Sequence, residues 1–267
     1  MKAENVFRVM ALGDIVGDAG RKLLQTKLIH LQRKYLPDLV VVNGENAAHG
    51  FGITKKIAEE FLNWGIDVIT SGNHIWQKKE IFDFIEEMPQ LIRPLNYPPG
   101  TPGNGFYRLQ KKDMDVVVVN IMGRIYMEPI DCPFRAMDEL LKQLEGENVL
   151  VLVDFHAEAT SEKQLMGWYL DGRVHALWGT HTHIPTADER ILPKKTAYIT
   201  DIGMCGAVYS VIGMNVSESQ RRVIQHLPVR FSPATEGELE LQGILIDFDK
   251  KSKKPLLIQR IVERMEG

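Results

Sequence analysis

The sequence predicts an α/β fold with its chemistry at one edge of a parallel sheet. Three strand–loop–helix units follow one another in the first third of the chain. Successive units of that kind pair in parallel through right-handed crossovers. Polar and ionisable residues gather just past the carboxyl end of each strand, where open α/β sheets place their ligands. After a proline-rich interruption the chain returns to strands, enough for a second sheet within one domain spanning residues 1–267.

Taken in order, residues 6–12 form a short apolar strand that stops at Gly13-Asp14-Ile15-Val16-Gly17. Residues 21–35 follow as an amphipathic helix with Leu24, Leu28 and Leu31 on one stripe. A β-branched strand at 39–42 ends in Asn43-Gly44-Glu45-Asn46, and Thr54 caps a helix to residue 64 that Gly65 ends. The third strand, 67–70, ends in Ser71-Gly72-Asn73-His74 and leads into a helix to residue 87. Pro89, Pro94, Pro98, Pro99 and Pro102 mark an irregular connection. Residues 106–110 and 114–121 resemble a hairpin with Lys111-Lys112-Asp113 at its tip, and 135–144 is helical. The strand at 149–155 ends at His156, where Ser161 and Gln164 fit a capping box for the next helix. Strands at 174–178 and 196–200 run into Gly179-Thr180-His181-Thr182-His183 and Asp201-Ile202-Gly203. The loop from 203 to 213, with Tyr209, reads as a lid or as a plain turn region. The remainder is β-rich, with strands at 229–232, 239–248 and 256–262 and a lysine-rich hairpin tip at 250–254.

Composition narrows the function. The 267 residues are 44% hydrophobic and carry a net charge of −3, so no global field favours nucleic acid or an anionic membrane. No apolar run approaches the ~18 residues of a membrane span, and the first residues carry no secretory h-region. The two cysteines, Cys132 and Cys205, form no CxxC pair. A reducing, cytoplasmic setting is expected.

Five strand ends carry metal-competent side chains: Asp14; Glu45 with Asn46; Asn73 with His74; His156; and His181 with His183. Each alone has an ordinary explanation, as a helix cap, a turn former or a satisfied core histidine. Their recurrence at one structural position does not. On extended backbone the i, i+2 spacing of His181 and His183 sends both rings to one face. Oxygen and imidazole ligands without thiolate suit iron, manganese or zinc. So many side chains exceed what one ion takes. Two ions ~3.5–4 Å apart, bridged by a carboxylate, are the usual answer, with a bridging hydroxide as nucleophile for in-line phosphoryl displacement.

The ordered motifs GDIVG, VNGEN, SGNHIW, DFHAEATSEK, WGTHTH and TDIGM resemble the YmdB-like bacterial family of the calcineurin-like metallophosphoesterases, over nearly the whole chain. The resemblance implies a four-layer αββα sandwich of two mixed β-sheets flanked by helices. It also implies a dinuclear-metal phosphodiesterase acting on cyclic nucleotides, notably 2′,3′-cyclic nucleotides at the 2′ bond, with 3′,5′-cyclic AMP as a further substrate. Carried over by motif, Asp14, Glu45, Asn46 and His183 hold one ion. Glu45, Asn73, His156 and His181 hold the other, and His74 protonates the leaving alkoxide. Three positions depart from the broad superfamily. Val16 stands where a histidine is usual, Glu45 where an aspartate bridges, and Ala48 where an aspartate orients the catalytic histidine. Orientation of His74 is left to His49 or a backbone carbonyl.

Arg93 and Thr160 are weaker candidates for substrate binding, each with a structural alternative, and Trp76 and Tyr97 either stack on a base or pack in the core. The expected partner is a small phosphodiester or cyclic nucleotide, with no membrane and no stable nucleic-acid partner. Exposed edge strands invite a homo-oligomer. Competing readings are a phosphomonoesterase or a regulatory nucleotide- or RNA-binding protein on the same fold. An amidohydrolase also uses His-x-His, but on its first barrel strand, whereas here the pair comes late.

Overall fold

The computed structural model describes residues 2–266. The first third supplies β1 (Val6–Leu12), β2 (Asp14–Ile15), α1 (Gly17–Tyr35), β3 (Leu39–Asn43), α2 (Lys55–Asn63), β4 (Val68–Thr70) and α3 (Ile81–Phe84). The middle supplies β5 (Phe106–Lys111), β6 (Met114–Met122), α4 (Pro133–Gln143), β7 (Leu150–His156), α5 (Thr160–Leu170), β8 (Ala176–Thr180), β9 (Arg190–Ile191) and β10 (Ala197–Ile199). The last part supplies β11 (Met204–Ala207), α6 (Val216–Val223), β12 (Leu239–Asp249) and β13 (Pro255–Met265).

One sheet runs β2-β11-β12-β1-β3-β4, with β13 paired along β12. Its β1, β3 and β4 are parallel, while β12 is antiparallel to β1. The other runs β5-β6-β7-β8-β10-β9. Its central strands are parallel and its two edges antiparallel. Both sheets are therefore mixed.

The period of two along each strand sorts side chains into layers. Met10 and Leu12 pack with Leu24, Leu28 and Phe61 of the helices on one side. Phe7, Val9 and Ala11 point the other way, onto Val116, Leu152 and Trp178 of the second sheet. Val117, Val119, Val151 and Val153 turn from that interface onto Met137, Leu140 and Met166 of α4 and α5. The result is the expected αββα sandwich. It explains the unbroken valine run of β6, since a strand buried on both faces does not alternate. Among the described residues no helix is long and apolar enough to cross a membrane.

The carboxyl ends of β3, β4 and β7 meet between the sheets. The Thr70 hydroxyl donates to Asp154 in a short contact, and the Asn43 amide donates to the Ser71 carbonyl at 3.2 Å. This junction positions the site.

Three local expectations fail. The helix expected to reach residue 87 is three short turns, because Lys78 is extended (φ −106°, ψ 113°). The break lets Trp76 stack on Phe82, with centroids 5.3 Å apart and rings 4° from parallel; residues six apart in one helix point to different faces. The capping box is absent: α5 starts at Thr160 behind Ala159, so Ser161 lies inside the first turn. Residues 229–232 form no strand. Ser232 instead anchors α6, its N–H and hydroxyl donating to Glu218 at 2.6 and 2.7 Å.

Candidate active site

His156 closes β7 with its side chain fully buried. Its Nε2 lies 3.0 Å from Glu45 Oε1, 3.0 Å from Asn73 Oδ1 and 3.1 Å from His181 Nδ1. The Thr180 hydroxyl donates to Asp154 Oδ1 at 2.7 Å and so accepts from His156 Nδ1–H at 3.0 Å. That fixes the tautomer and leaves Nε2 as a lone pair. His181 is set similarly. Its Nε2 faces Glu158 Oε2 at 3.0 Å, which turns Nδ1 inward. Glu45 Oε1 is buried and makes no hydrogen bond, despite lying beside His156. Electron-rich atoms thus crowd one point. Such a set fits a metal cation, because buried carboxylate and imidazole lone pairs without donors are costly otherwise.

A second group adjoins it. The His183 Nδ1–H donates to the Ile212 carbonyl at 2.8 Å. This aims Nε2 at Asp14 Oδ1, 3.5 Å away, and at the Asn46 amide, 3.2 Å away. The Asn46 amide also lies 3.3 Å from Asp14 Oδ1. A half-turn of that amide exchanges nitrogen for oxygen at the same place and makes Asn46 an oxygen donor.

The electrostatics call for positive charge. Burial works against ionisation of Asp14 and Glu45, yet neighbouring histidines hold both carboxyls below their ordinary range. Burial also disfavours charge on His183, but Asp14 raises it to about 9, and Glu45 holds His156 up against the same burial. His181 goes the other way: burial, then repulsion from His156, lowers it to about 3, leaving a neutral ring free to coordinate.

The backbone at 181–183 is not extended. His181 (φ 94°) and His183 (φ 63°) both occupy the left-handed region just past β8. The two rings therefore reach different partner groups rather than one face. Non-glycine residues held there cost roughly 1 kcal/mol or more each and persist only where surroundings over-determine them. Here the Thr182 hydroxyl donates to Asp201 at 2.7 Å. Asp201 is paired with Lys163 at 2.6 Å, both side chains only 1% exposed. Glycine is required nearby for close approach. A Cβ on Gly72 would lie 2.2 Å from the His156 ring, and one on Gly179 would lie 1.8 Å from the Thr200 carbonyl.

His74 sits at the rim. Its backbone N–H donates to Glu45 Oε2 at 2.8 Å, and its ring stands edge-on to Phe51 at 5.0 Å. Its Nδ1 is buried without a partner. Burial lowers its pKa, and Glu45 pulls the other way. Neither expected orienter holds the ring. His49 is exposed and lies 3.7 Å from Asp18 instead, and no carbonyl bonds Nδ1. Phe51 stands against the ring in their place, and the Asn73 amide nitrogen lies 3.5 Å from its Nε2.

A cleft of about 470 Å³ opens over Glu45, His74, His181 and His183, with Val211, Ile212, Val223 and Phe231 as an apolar wall. The weaker candidates lie elsewhere. Arg93 donates to the carbonyls of Pro94, Leu95, Thr101 and Pro102, stapling the proline-rich loop. Thr160 is exposed at the start of α5 and does not line the cleft. Trp76 packs edge-on against Tyr97 at 5.6 Å. Cys205 is buried in β11, its thiol pushed up to about 12 by burial. The segment after Gly203 begins as that strand, so only its later residues form the wall. Sequence reasoning gave no role to Asp154, Glu158, Lys163 or Asp201. Their signal was position: acids flanking His156 and one just past the strand at 197–199.

A model of the YmdB-like protein family matches residues 10–261. The chain belongs to that family. Among YmdB-like relatives, a Bacillus subtilis (strain 168) protein named 2′,3′-cyclic-nucleotide 2′-phosphodiesterase is 48% identical over 256 residues, 96% of this chain and 97% of its own. A crystal structure of a novel phosphatase from Mycoplasma pneumoniae superposes with a TM-score of 0.91 at 36% identity, covering 98% and 94% of the two chains. The fold reaches further. A putative 5′-nucleotidase from Staphylococcus aureus gives a TM-score of 0.59 at 13% identity, over 98% of this chain and 54% of the other.

Proposed function

We propose that the protein is a dinuclear-metal phosphodiesterase that opens 2′,3′-cyclic nucleotides at the 2′ bond. The observation that carries this is the convergence of His156 Nε2 with Glu45 Oε1, Asn73 Oδ1 and His181 Nδ1 within 3.1 Å, beside His74 at a cleft. The named activity of the Bacillus subtilis relative supplies the substrate class. Glu45, Asn73, His156 and His181 would hold one ion. Asp14, Asn46 and His183, with Glu45, would hold the second. Iron, manganese and zinc all suit this donor set. When bound, the ions activate the attacking water and offset charge on the phosphoryl oxygens.

The residues do the rest. Water oxygen forms the new bond to phosphorus and gives up a proton to bulk solvent. The phosphorus–O2′ bond breaks, and O2′ takes a proton from the His74 imidazolium, leaving a 3′-phosphate and a neutral ring that solvent reprotonates. Burial disfavours the charged ring, and an anionic phosphoryl group beside it favours that form again. The free cysteines support a reducing, cytoplasmic setting, and residues 1–267 act as one domain.

Phosphorus NMR of the product from 2′,3′-cyclic AMP tests the reaction. A 3′-phosphate is expected, and a 2′-phosphate contradicts the assignment. Turnover of phosphomonoesters alone favours the phosphatase alternative. Metal analysis tests the ligands. His181→Ala and His183→Ala are each expected to lower metal content from about two ions to about one, at different sites. Loss of both ions from either variant refutes the separate assignments.

A further inference from the structure

The cleft does not end at His74. A second chamber of about 830 Å³ lies beyond it and shares Phe51, His74 and Phe231 with the first. Lys78 and Arg230 line this chamber, and neither has an ion-pair partner among the described residues. Glu218 is its only lining acid among the described residues, and that carboxylate already accepts the Ser232 N–H and hydroxyl. In a chain of net charge −3, two uncommitted cations in one cavity mark a place for an anion.

The position of His74 says which anion. The oxygen that His74 protonates remains bonded to the ribose, so the nucleoside lies on the His74 side of phosphorus. Space past His74 is therefore space past the ribose. The ribose carries its next substituent, the 5′ carbon, away from the 2′,3′ edge. We propose that this chamber binds the phosphate on the 5′ side of the nucleotide being opened, so that the preferred substrate is an oligoribonucleotide ending in a 2′,3′-cyclic phosphate. The inference rests on the phosphodiesterase reading above.

The test compares kcat/KM for a 2′,3′-cyclic mononucleotide with that for a dinucleotide ending in the same cyclic nucleotide. Wild-type protein and a Lys78→Ala, Arg230→Ala double variant are both assayed, metal-replete. Wild type is expected to prefer the dinucleotide by about 10- to 100-fold, the range for hydrogen bonds to charged groups. The preference shrinks with added salt, and the ratio falls close to one in the double variant. Equal kcat/KM for the two substrates in wild type, or an undiminished ratio in the variant, overturns the chamber's role while the phosphodiesterase reading stands. Turnover of neither substrate overturns both.

Discussion

Truncation of His74 to alanine is expected to lower kcat by about 10²- to 10⁴-fold while metal content stays near wild type. The two halves of this expectation come from different atoms. The contact between residue 74 and the proposed ligand Glu45 is made by the backbone N–H, which alanine retains. The ring itself stands against Phe51, leaves Nδ1 without a partner and meets the Asn73 amide nitrogen at 3.5 Å through Nε2. The Asn73 oxygen is held separately, 3.0 Å from His156 Nε2, so loss of the ring leaves that oxygen in place. An interaction made mainly in the transition state lowers kcat and kcat/KM together. Steady-state kinetics alongside metal analysis separates the outcomes. A parallel loss of metal and activity removes His74 from the acid role.

Lys163→Met is expected to be among the costliest substitutions for stability. Lys163 and Asp201 are both 1% exposed, and removing one member of a buried pair costs about 3–5 kcal/mol because the other charge is stranded. Asp201 offsets part of that cost by taking up a proton. Burial already pushes its carboxyl above the ordinary range, with Lys163 pulling it down. Without Lys163 the folded-state pKa rises further above the unfolded value. Such a group binds a proton on folding, so its stabilising contribution is present at low pH and is lost as pH rises through the folded pKa. The deficit of the variant is therefore larger at pH 8 than at pH 5. Urea denaturation at the two pH values checks this, and an equal deficit at both rules out the ionic account. Metal content falls as well, since Thr182 loses the fixed acceptor that holds the histidine turn.

Much of the site was legible because each proposed ligand follows a buried strand. Glu45 comes just after β3, Asn73 after β4, and His156 ends β7. A short apolar run followed by glycine and an ionisable residue marks such a position without further information. The turn at 181–183 was not legible in the same way. The left-handed backbone of His181 and His183 leaves no mark in residue type. It is braced by partners remote in sequence: Asp201, backed by Lys163, accepts from Thr182, and Asp14 accepts the His181 N–H at 3.3 Å. Arg93 was opaque for a related reason. Its four acceptors are carbonyls of the loop it closes, and a sequence does not show which carbonyls lack a donor. The helix expected to reach residue 87 failed because its periodic residues bury separately, with Trp76 and Phe82 brought together by a break.

Ile212 serves two neighbours at once. Its carbonyl fixes the His183 ring, and the residue also belongs to the apolar wall of the cleft. Whatever enters the cleft meets the residue that keeps a proposed metal ligand in register. Occupancy of the cleft and grip on that ion are then linked quantities. If contents of the cleft hold Ile212 in place they tighten the ion, and by reciprocity the ion favours those contents by the same factor. A bulkier side chain at 212 acts on both together.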